Sequence, residues 1–341
     1  MWTCNNNNNN NTNGSFSEIS EETDTILLVC AFLLSTIGIS ANLTVIIVFI
    51  NCKIHRRSFT YLLVFQQSLI DMIVNCCYLI FFCVYRIVSE KSDDIYCKSC
   101  TLLLFFLSAS TLNLVFIAVE RYIAVVHPFK YWMRGDNTRS MLPQLCIPFI
   151  AAFLITFQYF FILEPDSLHP IKCTFCYKNV VFQILSGIIL LLANMLCPIC
   201  TMIFCYHRVY FTLMKQSKIR AELTTASYIV ADSEMNISST KSNQMDKAQK
   251  NFIITMSINT LVYVICIFPL PLLYLVYTIC DCFDFSNHIS SEIVIIIIVS
   301  NTVVNPFVYA FKFNDYKDGL YKTFCRQFDR TSSPPTSSAL T

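Results

Sequence analysis

Three groups of residues in this sequence could carry chemistry: an acid deep inside an apolar run, an acid and a base side by side at the end of another, and paired cysteines. Asp71 sits within 61–85, an apolar stretch long enough to cross a membrane. A carboxylate there is expensive unless it faces a bundle interior and finds partners, which makes it the first functional candidate. Asn42, Ser110, Asn301 and Asn305 lie at about the same depth of other apolar runs, and all can offer oxygen ligands. Hard oxygen donors around one carboxylate suit a small hard cation with water, and sodium is the expected ion. A neutral, protonated Asp71 held by hydrogen bonds is the bland alternative.

Glu120-Arg121-Tyr122 closes another run and leads into His127-Pro128. Such a pair alone would be read as snorkelling anchors. The last run ends in Asn305-Pro306-Phe307-Val308-Tyr309, and Pro198 and Pro269 interrupt two others. Each proline removes a helix hydrogen bond that neighbouring polar groups must replace, so three helices carry deformable points. Prolines also occur in static membrane helices, so kinks alone do not establish a switch. Most of the 18 cysteines lie inside apolar runs, where they pack as small hydrophobes. Cys97-x-x-Cys100 and Cys173-x-x-Cys176 instead fall in connections on a side that faces an oxidising compartment, where disulfides persist. One or two bridges between the two pairs would staple that loop over the bundle, with Cys97 joined to Cys173 or Cys176, or Cys100 to Cys176. A four-thiolate zinc site is the less favoured reading.

The elements that position these residues follow from composition. The 341 residues are 55% hydrophobic and 13% charged, against roughly 45–50% and about 25% in soluble domains, which argues against a soluble enzyme. A formal net charge of +2 provides no basic field for nucleic acid. Apolar runs recur at about 26–50, 61–85, 101–126, 141–163, 180–206, 252–277 and 289–311, predicting an all-α membrane protein of seven helices. Period-2 alternation is missing, so helices rather than barrel strands must satisfy the backbone. Even Ile293–Val299, strand-like in propensity, is overridden by its place in a run of span length.

Nineteen Lys and Arg lie on one side of these spans and five on the other, which predicts an extracellular N-terminus and a cytoplasmic C-terminus at the plasma membrane. Sequons at Asn10 and Asn13, in an Asn-rich N-terminal segment 1–25 expected to be disordered, agree with that orientation as glycosylation sites. The first span is expected to direct insertion itself, because no basic n-region precedes it. The five His lie in loops or at span ends, no Gly-rich phosphate loop occurs among five glycines, and no Ser/His/Asp set assembles. No enzyme chemistry is expected. A transporter would use Asp71 as a transport carboxylate, but the internal repeat expected of one is missing.

These residues and spacings resemble the rhodopsin-like (class A) G-protein-coupled receptors, across all seven spans. Glu120-Arg121-Tyr122 with Pro128 is similar to the family's Asp/Glu-Arg-Tyr motif and second-loop proline, and Asn305-Pro306-x-x-Tyr309 to its span-7 motif. The resemblance implies that Asn42, Asp71, Ser110, Asn301 and Asn305 form a sodium pocket and that no other cofactor is needed. It implies that Arg121 leaves Glu120 for Tyr206 and a heterotrimeric G protein in the active state. It further implies an amphipathic eighth helix over 312–325, with Cys325 a palmitoylation candidate, followed by a tail 326–341 that suits arrestin once phosphorylated. Membrane lipids would meet the basic helix ends.

The sequence departs from the family in places. Ile267 stands where a toggle tryptophan is usual, Tyr263 where a Phe is usual and Thr111 where an aliphatic is usual. Leu103 occupies the position where amine receptors keep an aspartate, and Val299 the retinal lysine position, so neither a classical amine nor retinal is expected. The outer halves of the spans offer Tyr78, Tyr85, Leu103, Leu104, Leu107, Leu270, Tyr274, Tyr277 and Ile295, with Asn194 as a polar handle. Ordinary core packing would look the same, and a lipid-like or peptide ligand is the functional reading. The predicted outer loops carry twelve carboxylates against five basic residues, which would attract a cationic peptide. Ligand-independent signalling is the alternative that the altered span-6 positions keep open.

Overall fold

A computed structural model describes residues 21–80, 94–133, 142–165, 173–228, 253–279 and 288–325 of the chain. Seven helices there are long and apolar enough to cross a membrane: Thr25–Asn51, Phe59–Tyr78, Asp94–Val126, Leu142–Ile162, Val180–Ile219, Ile253–Val276 and Ile293–Ala310, called spans 1 to 7 below. Span 1 packs against spans 2 and 7, span 3 against spans 2, 4 and 5, and spans 5 and 6 against each other. The fold is an all-α seven-helix bundle.

The bundle buries polar residues within an apolar core and also turns apolar side chains outward. Ile150, Phe153, Leu154 and Phe157 of span 4 are exposed, whereas Asp71, Asn42 and Asn113 are wholly buried. A helix in lipid requires this, because hydrocarbon solvates apolar side chains and polar groups must pair within the protein. Span 3 starts at Asp94 rather than near 101, its first-turn carboxylate complementing the positive end of the helix. Span 5 continues as helix through Tyr228, well beyond the hydrocarbon length that the apolar run alone would set.

Between spans 4 and 5, strands β1 (Leu163–Pro165) and β2 (Cys173–Phe175) pair antiparallel, with Leu163 opposite Phe175. A disulfide from Cys173 to Cys97 fastens this hairpin to the first turns of span 3. Lys98 Nζ reinforces it by donating to the Leu163 carbonyl at 2.9 Å. Cys176 is also disulfide-bonded, and Cys100 is free.

After span 7, Phe313 takes an extended conformation and a short helix, Asn314–Leu320, runs on through Cys325. Tyr316 and Gly319 are its buried face, with the Tyr316 ring 6.4 Å from that of Phe49. Burial pushes the Tyr316 phenol up to about 12. Asn10, Asn13 and Tyr85 lie outside the described residues, as do the side chains of Tyr277 and Cys325.

Candidate functional site

Three polar or aromatic layers cross the bundle. The middle one is built on Asp71, which span 2 turns inward together with Gln67 and Asn75, one helical turn to either side. Ser110 Oγ donates to Asp71 Oδ1 at 2.7 Å, Gln67 Nε2 donates to the same oxygen at 3.0 Å, and Asn305 Nδ2 donates to Oδ2 at 2.8 Å. Gln67 Nε2 also lies 2.6 Å from Ser110 Oγ, and Gln67 Oε1 accepts from Asn113 Nδ2 at 2.8 Å. Spans 2, 3 and 7 therefore meet in one hydrogen-bonded group. A buried acid inside a lipid-facing bundle needs such donors.

Of the residues expected around Asp71, the structure brings Ser110 and Asn305 into contact with it. Asn42 makes its bonds elsewhere: its Nδ2 donates to the Thr302 carbonyl at 3.1 Å and to Gly38 O at 3.0 Å. Asn301 is buried, and none of the hydrogen bonds to Asp71 comes from it. Gln67, Asn75, Asn113 and Thr302 were not anticipated. Asn75 Nδ2 donates to Thr302 Oγ1 at 2.9 Å and to the Asp71 carbonyl at 2.7 Å, joining spans 2 and 7. The repeat Gln67, Asp71, Asn75 at intervals of four was the available signal.

The prolines explain two of these bonds. Pro306 has no N–H to give the carbonyl four residues back, Thr302, and Asn42 supplies the missing donor from span 1. Pro198 does the same to Asn194, where span 5 widens into a π-turn over Leu192–Leu196, and the Tyr263 hydroxyl donates to the Asn194 carbonyl from span 6. Both repairs come from another helix, so each proline becomes a tether between spans.

Toward the end that carries the disulfide, a narrow cavity of about 40 Å³ is lined by Leu104, Leu107, Thr111, Asn194, Ile267 and Leu270, among others. Four of the predicted ligand-pocket residues thus line it: Leu104, Leu107, Asn194 and Leu270. Tyr78, Leu103 and Ile295 instead pack in a cluster with Val74 and Val299. Above the cavity, Tyr274 meets Tyr159 and the loop residues Phe175 and Tyr177. Ser186 Oγ lies 3.2 Å from the Tyr274 hydroxyl and 3.3 Å from that of Tyr177, and the two phenols are hydrogen-bonded to each other. Burial pushes the Tyr177 phenol above its ordinary value, so it keeps its proton at neutral pH.

At the opposite end, Glu120 is buried and Arg121 Cζ lies 5.8 Å above the ring of Tyr61, a cation–π distance. Tyr61 donates to Asp315 Oδ2 at 2.7 Å, and Arg57 pairs with Asp315 Oδ1 at 2.7 Å, connecting the base of span 2 to the helix after span 7. The Tyr122 hydroxyl is 3.3 Å from His127 Nε2 and its ring packs on Phe204. Tyr206 and Tyr309 are buried within the same hydrophobic cluster. Tyr61, Arg57 and Asp315 carried no motif to single them out.

The geometry has relatives. Residues 41–309 match the family model of the seven-transmembrane receptors of the rhodopsin family. The chain is 24% identical to human trace amine-associated receptor 1 over 329 residues, covering 90% of this chain and 89% of that one. It is 22% identical over 292 residues to the histamine H2 receptor of Cavia porcellus, covering 82% and 74%. Against the octopamine receptor beta-3R of Drosophila melanogaster it is 27% identical over 207 residues, which are 57% of this chain and 16% of that relative's length. The chain belongs to the rhodopsin family of G-protein-coupled receptors, multi-pass membrane proteins that signal through heterotrimeric G proteins and are not enzymes.

Proposed function

We propose that this chain is a plasma-membrane receptor in which a ligand entering the cavity beside Asn194 drives the helix rearrangement that activates a G protein at Arg121. The observation that carries this reading is the small size of the cavity. Its volume of about 40 Å³ is far below the roughly 300 Å³ or more of ordinary ligand pockets, so a ligand must move helices to enter. Ligand binding and helix packing are then coupled, and by linkage so are ligand and G protein.

The ligand reads as peptide or lipid-like. The cavity lining is apolar, with no acidic residue among the described lining residues to pair with an ammonium group. The three relatives compared above are named for amines, so an amine remains the outcome to test against. The orientation that places Arg121 in the cytoplasm rests on the Lys and Arg asymmetry of the loops. Arrestin would read the Ser- and Thr-rich tail after phosphorylation.

The test needs no known ligand. Basal activation of a panel of Gα subunits is compared in cells between wild type and Arg121→Ala at matched surface expression. Basal activity at least tenfold lower in the variant, equivalent to about 1.4 kcal/mol of lost stabilisation of the signalling state, is expected. Equal activity of the two would remove Arg121 from the coupling role. A parallel screen of neutral lipids, peptides and amines reads the ligand class, and selective activation by amines would overturn the apolar reading.

A further inference from the structure

A carboxylate with hydroxyl and amide oxygens about it invites a cation, and the family resemblance assigns Asp71 a sodium ion. A hard cation needs oxygen lone pairs turned toward one shared centre. At Asp71 and Ser110 they are turned toward nitrogen, while the buried oxygens Asn301 Oδ1 and Asn305 Oδ1 have no hydrogen-bond partner among the described residues. Gln67 Nε2 lies 3.0 Å from Asp71 Oδ1 and 2.6 Å from Ser110 Oγ, so the amide nitrogen sits between the two oxygens. The Ser110 O–H is committed to Asp71 Oδ1 at 2.7 Å, and Asn305 Nδ2 occupies Oδ2 at 2.8 Å. In this arrangement the place between Asp71 Oδ1 and Ser110 Oγ, the two oxygens a cation would have to share, is already filled.

The amide cannot simply turn over to offer its oxygen. Asn113 Nδ2 donates to Gln67 Oε1 at 2.8 Å and is itself held on the Leu63 carbonyl at 3.2 Å. Reversing Gln67 would face its oxygen to the Asp71 carboxylate and set two NH₂ groups against each other, which loses the hydrogen bonds on both sides. Gln67, Asp71 and Asn113 are each wholly buried, so water does not compete for these bonds.

We infer that the Gln67 side-chain amide stands in the cation's place between Asp71 and Ser110, held there by Asn113. The receptor therefore carries a tethered donor where the resemblance would place a diffusible ion, and its packing is independent of sodium.

The experiment is thermal melting of the purified full-length receptor in sodium chloride and in choline chloride at equal ionic strength. Wild type is expected to melt at the same temperature in both. Gln67→Leu and the closer-shaped Gln67→Met should each gain a sodium-specific rise of about 2 °C or more, because an ion that binds only the folded state stabilises it. Adding Asp71→Asn should abolish that rise. A sodium-specific rise in wild type that Asp71→Asn removes would overturn the inference, and so would the absence of a rise in both Gln67 variants. Melting uses neither ligand nor G protein, so this result stands or falls separately from the signalling proposed above.

Discussion

The Tyr263 hydroxyl caps the carbonyl that Pro198 strands at Asn194, and removing it should leave that buried acceptor without its donor from span 6. Tyr263→Phe is expected to lower stability by about 1–3 kcal/mol, read as a drop in melting temperature of the purified receptor with unchanged bundle structure. An unaltered melting temperature would mean that the carbonyl finds another partner. Part of this was legible in sequence. Counting back four residues from Pro198 and Pro306 reaches Asn194 and Thr302, the carbonyls in need. The donors were not legible, because Tyr263 and Asn42 reach them only once spans 6 and 1 pack against spans 5 and 7. Asn194 itself was read as a polar handle for a ligand, and its backbone turned out to matter as well as its side chain. Asp71 stood out on cost alone, whereas Gln67 and Asn113 did not, since an uncharged amide in a span raises no such alarm.

At the scale of elements, spans 1 and 2 approach closely where Gly38 faces Asn75. A β-carbon at Gly38 would collide with the Asn75 amide, and that amide is needed at Thr302 Oγ1 and the Asp71 carbonyl. Gly38→Val should therefore push the two helices apart and leave buried polar groups unpaired, costing about 2–4 kcal/mol. Surface expression and melting temperature measure this, and a wild-type value for both would show that the helices part without penalty. The seven spans themselves were legible from apolar length, because hydrocarbon thickness is a hard constraint. Their ends were not. Span 3 starts earlier than its apolar run suggests, since water-exposed helix is held by local hydrogen bonds and by the bridge from Cys97 to Cys173. The C-x-x-C pattern left both pairings open, because spacing says nothing about which sulfurs a loop brings together.

For the whole molecule, the asymmetry of nineteen basic residues against five predicts which way the bundle lies. A tag at the N-terminus should stain on intact cells and one at the C-terminus only after permeabilisation, and the reverse pattern would invert every assignment of ligand and G-protein sides. The two ends differ physically as well. One is closed by aromatic packing of Phe175 and Tyr177 from the loop onto Tyr274, and the other by a charged chain from Arg57 through Asp315 and Tyr61 to Arg121. The exposed Arg57 pair contributes little by itself, and its value lies in holding the final helix against span 2.

The bond from Asn42 to the Thr302 carbonyl also joins the first span to the last. Chains are threaded into a membrane from the N-terminus, so Asn42 enters lipid long before its partner has been synthesised. Until span 7 arrives, the amide and later the proline-exposed carbonyl are each a polar group awaiting a mate in hydrocarbon. Completion of the bundle is thus written into a single seam between its oldest and youngest helices. A defect there would surface as a receptor retained during biogenesis, with no signalling fault left to observe.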